Sequence, residues 1–198
     1  VTQLFPNGSI INIHPWEYNE VAPSLTAALK TDVPIIAIHL TRPSIVIPDR
    51  EKMGIANHKD SAKGAYIIKG YDNKRAKKGV VIIRGTAPIN SLMQILPSLK
   101  NKGPNIKIIA AVSMELFKAQ NQEYQESIIS PVEWNDCMII TNTSLKSMGN
   151  WVRNRFVAKY SLSPDFDNRW RTGGSVDQII IESGLDPFSI LNGIKRFS

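Results

Sequence analysis

The sequence predicts an α/β fold: a mostly parallel five-stranded sheet with helices on both faces, preceded by a separate β-α-β piece. Three observations carry this. Short apolar, β-branched runs of strand length recur along the chain, among them "SIINI", "PIIAIHL", "GVVIIRG", "NIKIIAAV" and "DCMIITN". Stretches with helical spacing and caps stand between most of them, the alternation expected of a parallel sheet covered on both sides. Apolar residues make up 42% of the 198, enough to bury a sizeable core.

The elements follow in order. "SIINI" ends before Pro15. Asn19 is placed to cap a helix over "EVAPSLTAALK", where Val21, Leu25 and Ala28 or Leu29 recur at helical spacing. "VPIIAIHL" reads as a buried strand, apolar on both faces, completing a β-α-β unit. The chain opens on its first strand with no capping element, so a preceding segment is expected. Residues 43–64 are polar and broken by Pro43 and Pro48, and read as a linker or long surface loop. "GAYIIKG" and "GVVIIRG" flank a basic tip and are most simply a hairpin. "TAPINSLMQILPSLKNKG" is a helix that Thr86 caps and Gly103 ends, with Pro97 expected to kink or shorten it. After two more strands, "SVDQIIIESG" and "PFSILNGIKRF" are helices separated by Gly184 and Asp186-Pro187. The sequence shows no internal repeat and no low-complexity tract.

Composition excludes several classes of function. No apolar run approaches the roughly 20 residues of a membrane span, and the first residues carry no basic region followed by an apolar stretch, so neither a membrane span nor a signal peptide is expected. The single Cys137 cannot form an internal disulfide, which favours a reducing, cytoplasmic setting. The net charge of +7 permits an anionic partner. Its densest run, "NKRAKKG" at 73–79, reads as a solvated tip. Nucleic-acid binding through that tip is a remaining alternative, which steeply salt-dependent binding would support.

The residues alone assemble no complete active site. His14, His39 and His58 lie far apart in sequence with no carboxylate or cysteine at ligand spacing. His39 alternates with apolar neighbours and reads as a packed or satisfied histidine. No Gly-x-Ser-x-Gly elbow occurs. "RTGGS" and "RGTAP" offer backbone amides near helix starts, where an anion could rest, but such starts are common.

One stretch is more specific. "VSMELFKAQNQEYQESIISP", residues 112–131, resembles a segment of the transketolases: a strand ending in Val-Ser-Met, a Leu-Phe-x-x-Gln helix, a Tyr-Gln-Glu-Ser turn and a proline. Its Glu, Gln and Tyr side chains are expected to fix a tight strand-to-helix connection and dock two domains, not to do chemistry. "GVVIIRGTAPINSLMQIL" is similar to that family's strand, turn and helix, and "SGLDPFSILNGIKRF" to its closing helix pair. Upstream, "LFPNGSIINIHPWEYNEVAPSLTAAL" and "VPIIAIHLTRP" resemble the end of the pyrimidine-binding domain of thiamine-diphosphate enzymes.

The resemblance implies that residues 1–52 end a pyrimidine-binding domain, 53–61 are a linker, and 62–198 form a transketolase C-terminal domain. It implies two-carbon ketol transfer between phosphosugars in a homodimeric enzyme, with thiamine diphosphate and a divalent metal, Mg or Ca. The family's Gly-Asp-Gly metal element and catalytic glutamate match nothing in this chain. By itself it is therefore expected to bind no cofactor and to be inactive, acting with the rest of the polypeptide or a partner subunit. No catalytic residue carries over. Arg42, in "HLTRP", matches the arginine that binds the substrate's phosphate in the family, where Gln usually follows in place of Pro43. A guanidinium suits that task, because its donor fork matches phosphate oxygens. The competing expectation is a non-catalytic regulatory or assembly module built on the same fold.

Overall fold

A computed structural model of the chain describes residues 5–153, 155–169, 171 and 173–198. Its N-terminal part is a parallel pair, β1 (Ile10–Ile13) and β2 (Ile35–Ile38), joined by α1 (Val21–Leu29). The larger part holds β3 (Ala65–Lys69), β4 (Val80–Arg84), β5 (Lys107–Ala111) and β6 (Cys137–Thr141) in the order β3-β5-β4-β6. β5 and β6 run parallel to β4, and β3 is antiparallel to β5. The helices are α2 (Arg50–Met53), α3 (Thr86–Lys102), α4 (Met114–Lys118), α5 (Gln122–Ile128), α6 (Arg155–Tyr160), α7 (Val176–Glu182) and α8 (Pro187–Phe197).

β3 to β6 are buried on both faces because each alternates between two apolar cores. Val81, Ile83, Ile108, Ala110, Met138 and Ile140 face one core, which α3 and α8 close with Leu92, Leu96, Ile190 and Ile194. Val80, Ile82, Ile109, Ala111 and Ile139 face the other, closed by Phe117, Ile128 and Val157 from α4, α5 and α6. This is the expected mostly parallel sheet with helices on both faces. Among the described residues it has four strands instead of five. A single parallel bridge between Ile140 and Leu162 takes the fifth place beside β6.

Several expectations are corrected. β3 and β4 do not form a hairpin, since β5 lies between them. Their connector, residues 70–79, is longer than the two to five residues of common hairpin loops. It has ample reach to step across one intervening strand, about 10 Å. α3 is not shortened at Pro97 and runs on to Lys102; Gly85, not Thr86, occupies its N-cap position. Asn19 does not cap α1. It lies within a 3-10 turn over Tyr18–Glu20, and the Glu17 carboxylate accepts from its N–H. β2 is not a buried strand: among the described residues its only strand neighbour is β1, and Ile35 remains 41% exposed.

Residues 43–64 are also more than a surface loop. They contain α2, a 3-10 turn over His58–Lys63 and the buried Arg50 and Ser61. A polar run usually signals solvent; here it carries the charged half of a buried cluster.

Candidate functional site

Sequence reasoning places the one candidate binding residue, Arg42, just past the carboxyl end of β2. It lies there in the structure, exposed, at a bend it shares with Pro43. Its guanidinium makes no hydrogen bond or ion pair among the described residues. The neighbouring Thr41 Oγ1 donates to Thr86 Oγ1 at 3.1 Å, tying this segment to the first turn of α3. Beside it opens a cleft of about 380 Å3 lined by Pro15, Trp16, Glu17, Thr41, Pro43, Ser44 and Thr86. Arg42 thus stands between two cleft-lining residues with a free donor fork, where a phosphate could be met without breaking an existing bond. The "RGTAP" turn contributes Thr86 to the same cleft. Gly85, at φ 101°, lets the backbone enter α3 there, and a Cβ would lie 2.0 Å from Asn142 Oδ1.

The histidines that sequence spacing kept apart come together in part. His14 and His39 follow the paired strands β1 and β2, and their rings stack at 4.1 Å. His39 Nε2 lies 3.3 Å from Asn12 Oδ1, so it is partnered as expected, although the residue is exposed. Beside them Arg84, 3% exposed, ends β4; its Nη2 donates to Thr143 Oγ1 at 2.7 Å and Ser147 Oγ at 2.6 Å. Burial, then the Arg84 and His39 charges, push the His14 imidazole down to about 2, so it stays neutral. Burial and then Arg84 lower His39 as well. Burial pulls Arg84 itself down to about 10. His58 joins none of these groups. Among the described residues no three His, Cys, Asp or Glu side chains gather as metal ligands would.

A second buried cluster had no local signal in the sequence. Arg50 Nε donates to Glu17 Oε1 at 2.8 Å and its Nη2 to Glu20 Oε1 at 2.7 Å. Tyr66 Oη donates to the same Glu20 oxygen and accepts from Trp16 Nε1 at 2.6 Å. Burial raises the Glu20 carboxyl above its ordinary value despite these bonds. The partners in these bonds stand 30 to 50 positions apart, so no spacing rule finds them. They join "HPWEYNE", the polar connector and β3.

Residues 112–131 hold both a local and a long-range set of bonds. Ser113 caps α4, and Asn121 caps α5 through Tyr124 N at 2.8 Å. Gln120 Nε2 donates to Leu116 O at 2.9 Å, and Gln125 Nε2 to Gln120 O at 2.7 Å. Tyr124 Oη reaches Ala65 O at 2.8 Å, and Glu115 Oε2 accepts from Asn12 N at 3.3 Å. The stretch is a connector that also fastens β1 to the larger sheet.

The loop at 73–79 is exposed up to Lys78, as expected of a tip, but it is not loose. Asn105 Nδ2 donates to Asp72 O and Arg75 O, and Arg75 Nη2 donates to Gly103 O at 2.7 Å.

No family model matches the chain. Among curated relatives, the transketolase of Aquifex aeolicus is 31% identical over 134 residues, 66% of this chain and 19% of its own length. A chloroplastic transketolase of Solanum tuberosum is 23% identical over 99% of this chain and 24% of its own. Among solved structures, a Pichia stipitis transketolase in complex with sedoheptulose 7-phosphate superposes with a TM-score of 0.69 at 15% identity. It covers 96% of this chain and 25% of that one. The Leishmania mexicana transketolase gives 0.66 at 11% identity, over 99% and 26%. The solved structures show the fold. With the curated relatives, they cover most of the chain, consistent with the C-terminal part of a transketolase. The chain spans about a fifth to a quarter of the length of these proteins.

Proposed function

We propose that this chain is the C-terminal portion of a transketolase-type enzyme that moves two-carbon ketol units between phosphosugars. The observation that carries the reading is Arg42: an exposed guanidinium without a partner among the described residues, at the carboxyl end of β2, beside a cleft. The element "HLTRP" places it where the resemblance expects a phosphate-binding arginine, and one solved relative was crystallised with a sugar phosphate.

Residues 1–52 belong in this reading to the pyrimidine-binding domain, 53–61 to a linker, and 62–198 to the C-terminal domain. Thiamine diphosphate and its divalent metal would supply the carbanion chemistry when bound; among the described residues no three His, Cys, Asp or Glu side chains gather as metal ligands would. Cofactor and metal are assigned to parts of a longer polypeptide, or to a partner subunit, in a cytoplasmic homodimer. This chain's part is to bind and orient the phosphate end of the substrate, while the chain alone is inactive.

The test uses the complete enzyme. Arg42→Ala should lower kcat/KM for a phosphorylated ketose by roughly ten- to a hundredfold, the worth of one charge-assisted contact. An unphosphorylated ketose should be nearly unaffected. Arg42→Lys should recover part of the loss, because a point charge does not reproduce the fork. Equal losses on both substrates would remove Arg42 from the site.

A further inference from the structure

β4 is the strand at which the chain changes direction, with β5 on one side and β6 on the other. In open sheets of this kind the connections diverge above such a strand's carboxyl end and leave a crevice there. Here the crevice has two parts that share lining residues. The inner part, about 10 Å3, is lined by the polar residues Asn12, His14, Arg84, Ser113, Glu115 and Asn150 and by the apolar Val112, Met114 and Trp151. The outer part, about 80 Å3, shares Asn12, Glu115 and Asn150 and adds Asn7.

His14 and Arg84, which both line the inner part, each hold a nitrogen, Nε2 and Nε, that is buried without a hydrogen-bond partner among the described residues. Buried polar atoms are nearly always partnered, and two orphans on one small chamber share one remedy: an oxygen atom placed between them. Arg84 cannot turn to help itself, since Thr143 and Ser147 hold its other nitrogens. Across the crevice, Glu115 Oε2 accepts from Asn12 N and from Ser113 Oγ at 3.1 Å. Its other oxygen makes no hydrogen bond among the described residues.

We propose that this crevice binds a small carboxylic acid with a hydroxyl or ammonium group beside its carboxylate. One carboxylate oxygen enters the inner part and accepts from Arg84 Nε–H and from His14 in its Nε2–H tautomer. The hydroxyl or ammonium donates to the free oxygen of Glu115, and the Asn7 and Asn150 amides border the rest. The opposed charges of Arg84 and Glu115 select a ligand with an acceptor end and a donor end. The size excludes nucleotides and sugar phosphates. The site is separate from the Arg42 cleft, so it stands or falls independently of the proposed function.

The test is a titration of the 15N-labelled 198-residue chain with glycolate, glycine and acetate. The readouts are the His14 ring nitrogens and the Asn12 and Asn150 side-chain amides. Glycolate or glycine should give saturable shifts, and acetate should bind roughly tenfold more weakly because it has nothing to donate to Glu115. Glycolate against glycine separates a hydroxyl from an ammonium. Arg84→Gln should abolish saturation. If that variant does not fold, Glu115→Gln decides: its amide can still accept from Ser113, but the preference for glycolate over acetate should change by about tenfold. Shifts that never saturate, or that chloride reproduces, would overturn the proposal and leave the crevice to water.

Discussion

At the scale of single residues, His14 makes the most direct prediction. Its ring is buried against two other cationic or protonatable groups, Arg84 and His39, with the Glu115 carboxylate on the same chamber. The fold holds it neutral down to about 2, whereas an unfolded chain protonates it near 6.5. Between those values the unfolded state binds the extra proton, so stability falls as pH falls through this window and is complete only above about 6.5. Integrated from pH 7 to 5, one such group costs about 2 kcal/mol. Glu20 works in the opposite sense, because its carboxyl is raised by burial and gains its proton more readily in the folded state. The useful quantity is therefore a difference. Urea midpoints at pH 7 and 5 should separate by clearly more for the native chain than for His14→Gln. His39, shifted the same way, keeps a residual slope in the variant. Identical slopes would mean that His14 carries no such burden.

At the scale of elements, the strands β1, β4, β5 and β6 were legible because each is a short β-branched run, and α7 and α8 because Ser175 and Asp186 cap them where sequence rules expect. What sequence hid was order. "GAYIIKG" and "GVVIIRG" are neighbours in the chain, and only the long-range pairing of β5 with both shows that they are not neighbours in the sheet. The seat of the 112–131 motif was likewise invisible. It rests on Gly64, whose carbonyl accepts from Val112 N at 2.9 Å and Ser113 N at 2.8 Å. Gly64 has φ 83°, and a Cβ there would lie 2.3 Å from both Phe117 N and Ser113 O, which are backbone atoms that cannot swing aside. Gly64→Ala should therefore cost on the order of 2–5 kcal/mol, from left-handed strain plus overpacking. Gly70→Ala, on the same strand's exit with open space around it, should stay within about 1 kcal/mol. Thermal denaturation of the pair checks this; similar midpoints would show that α4 can retreat from β3.

At the scale of the whole molecule, the question is whether the β1-α1-β2 piece and the larger sheet behave as two bodies. Sequence put a linker between them, and Arg42 and the cleft depend on how they are held. Ile11, Ile13, Trp16 and Ala28 lie in the same apolar core as Tyr66, Val81, Leu92 and Ile108, so no solvent layer separates the parts. Burying side chains of this size contributes about 1.5–3 kcal/mol each, and His14 N also donates to Val112 O at 2.8 Å. Tyr66 adds a penalty to parting: its Oη donates to Glu20 and accepts from Trp16 Nε1 at 2.6 Å, so separation would leave buried polar groups unpaired. A large apolar interface with a polar staple favours joint motion over independent domains. Chemical denaturation should accordingly give one transition. Hydrogen exchange at Ile11 in β1 and Ile82 in β4 should report opening free energies that agree and converge with the global value. If the β1 amides exchanged through a separate, lower-energy opening, Arg42 would ride on a piece that undocks, and the larger sheet would have to be regarded as the only stable unit of this chain.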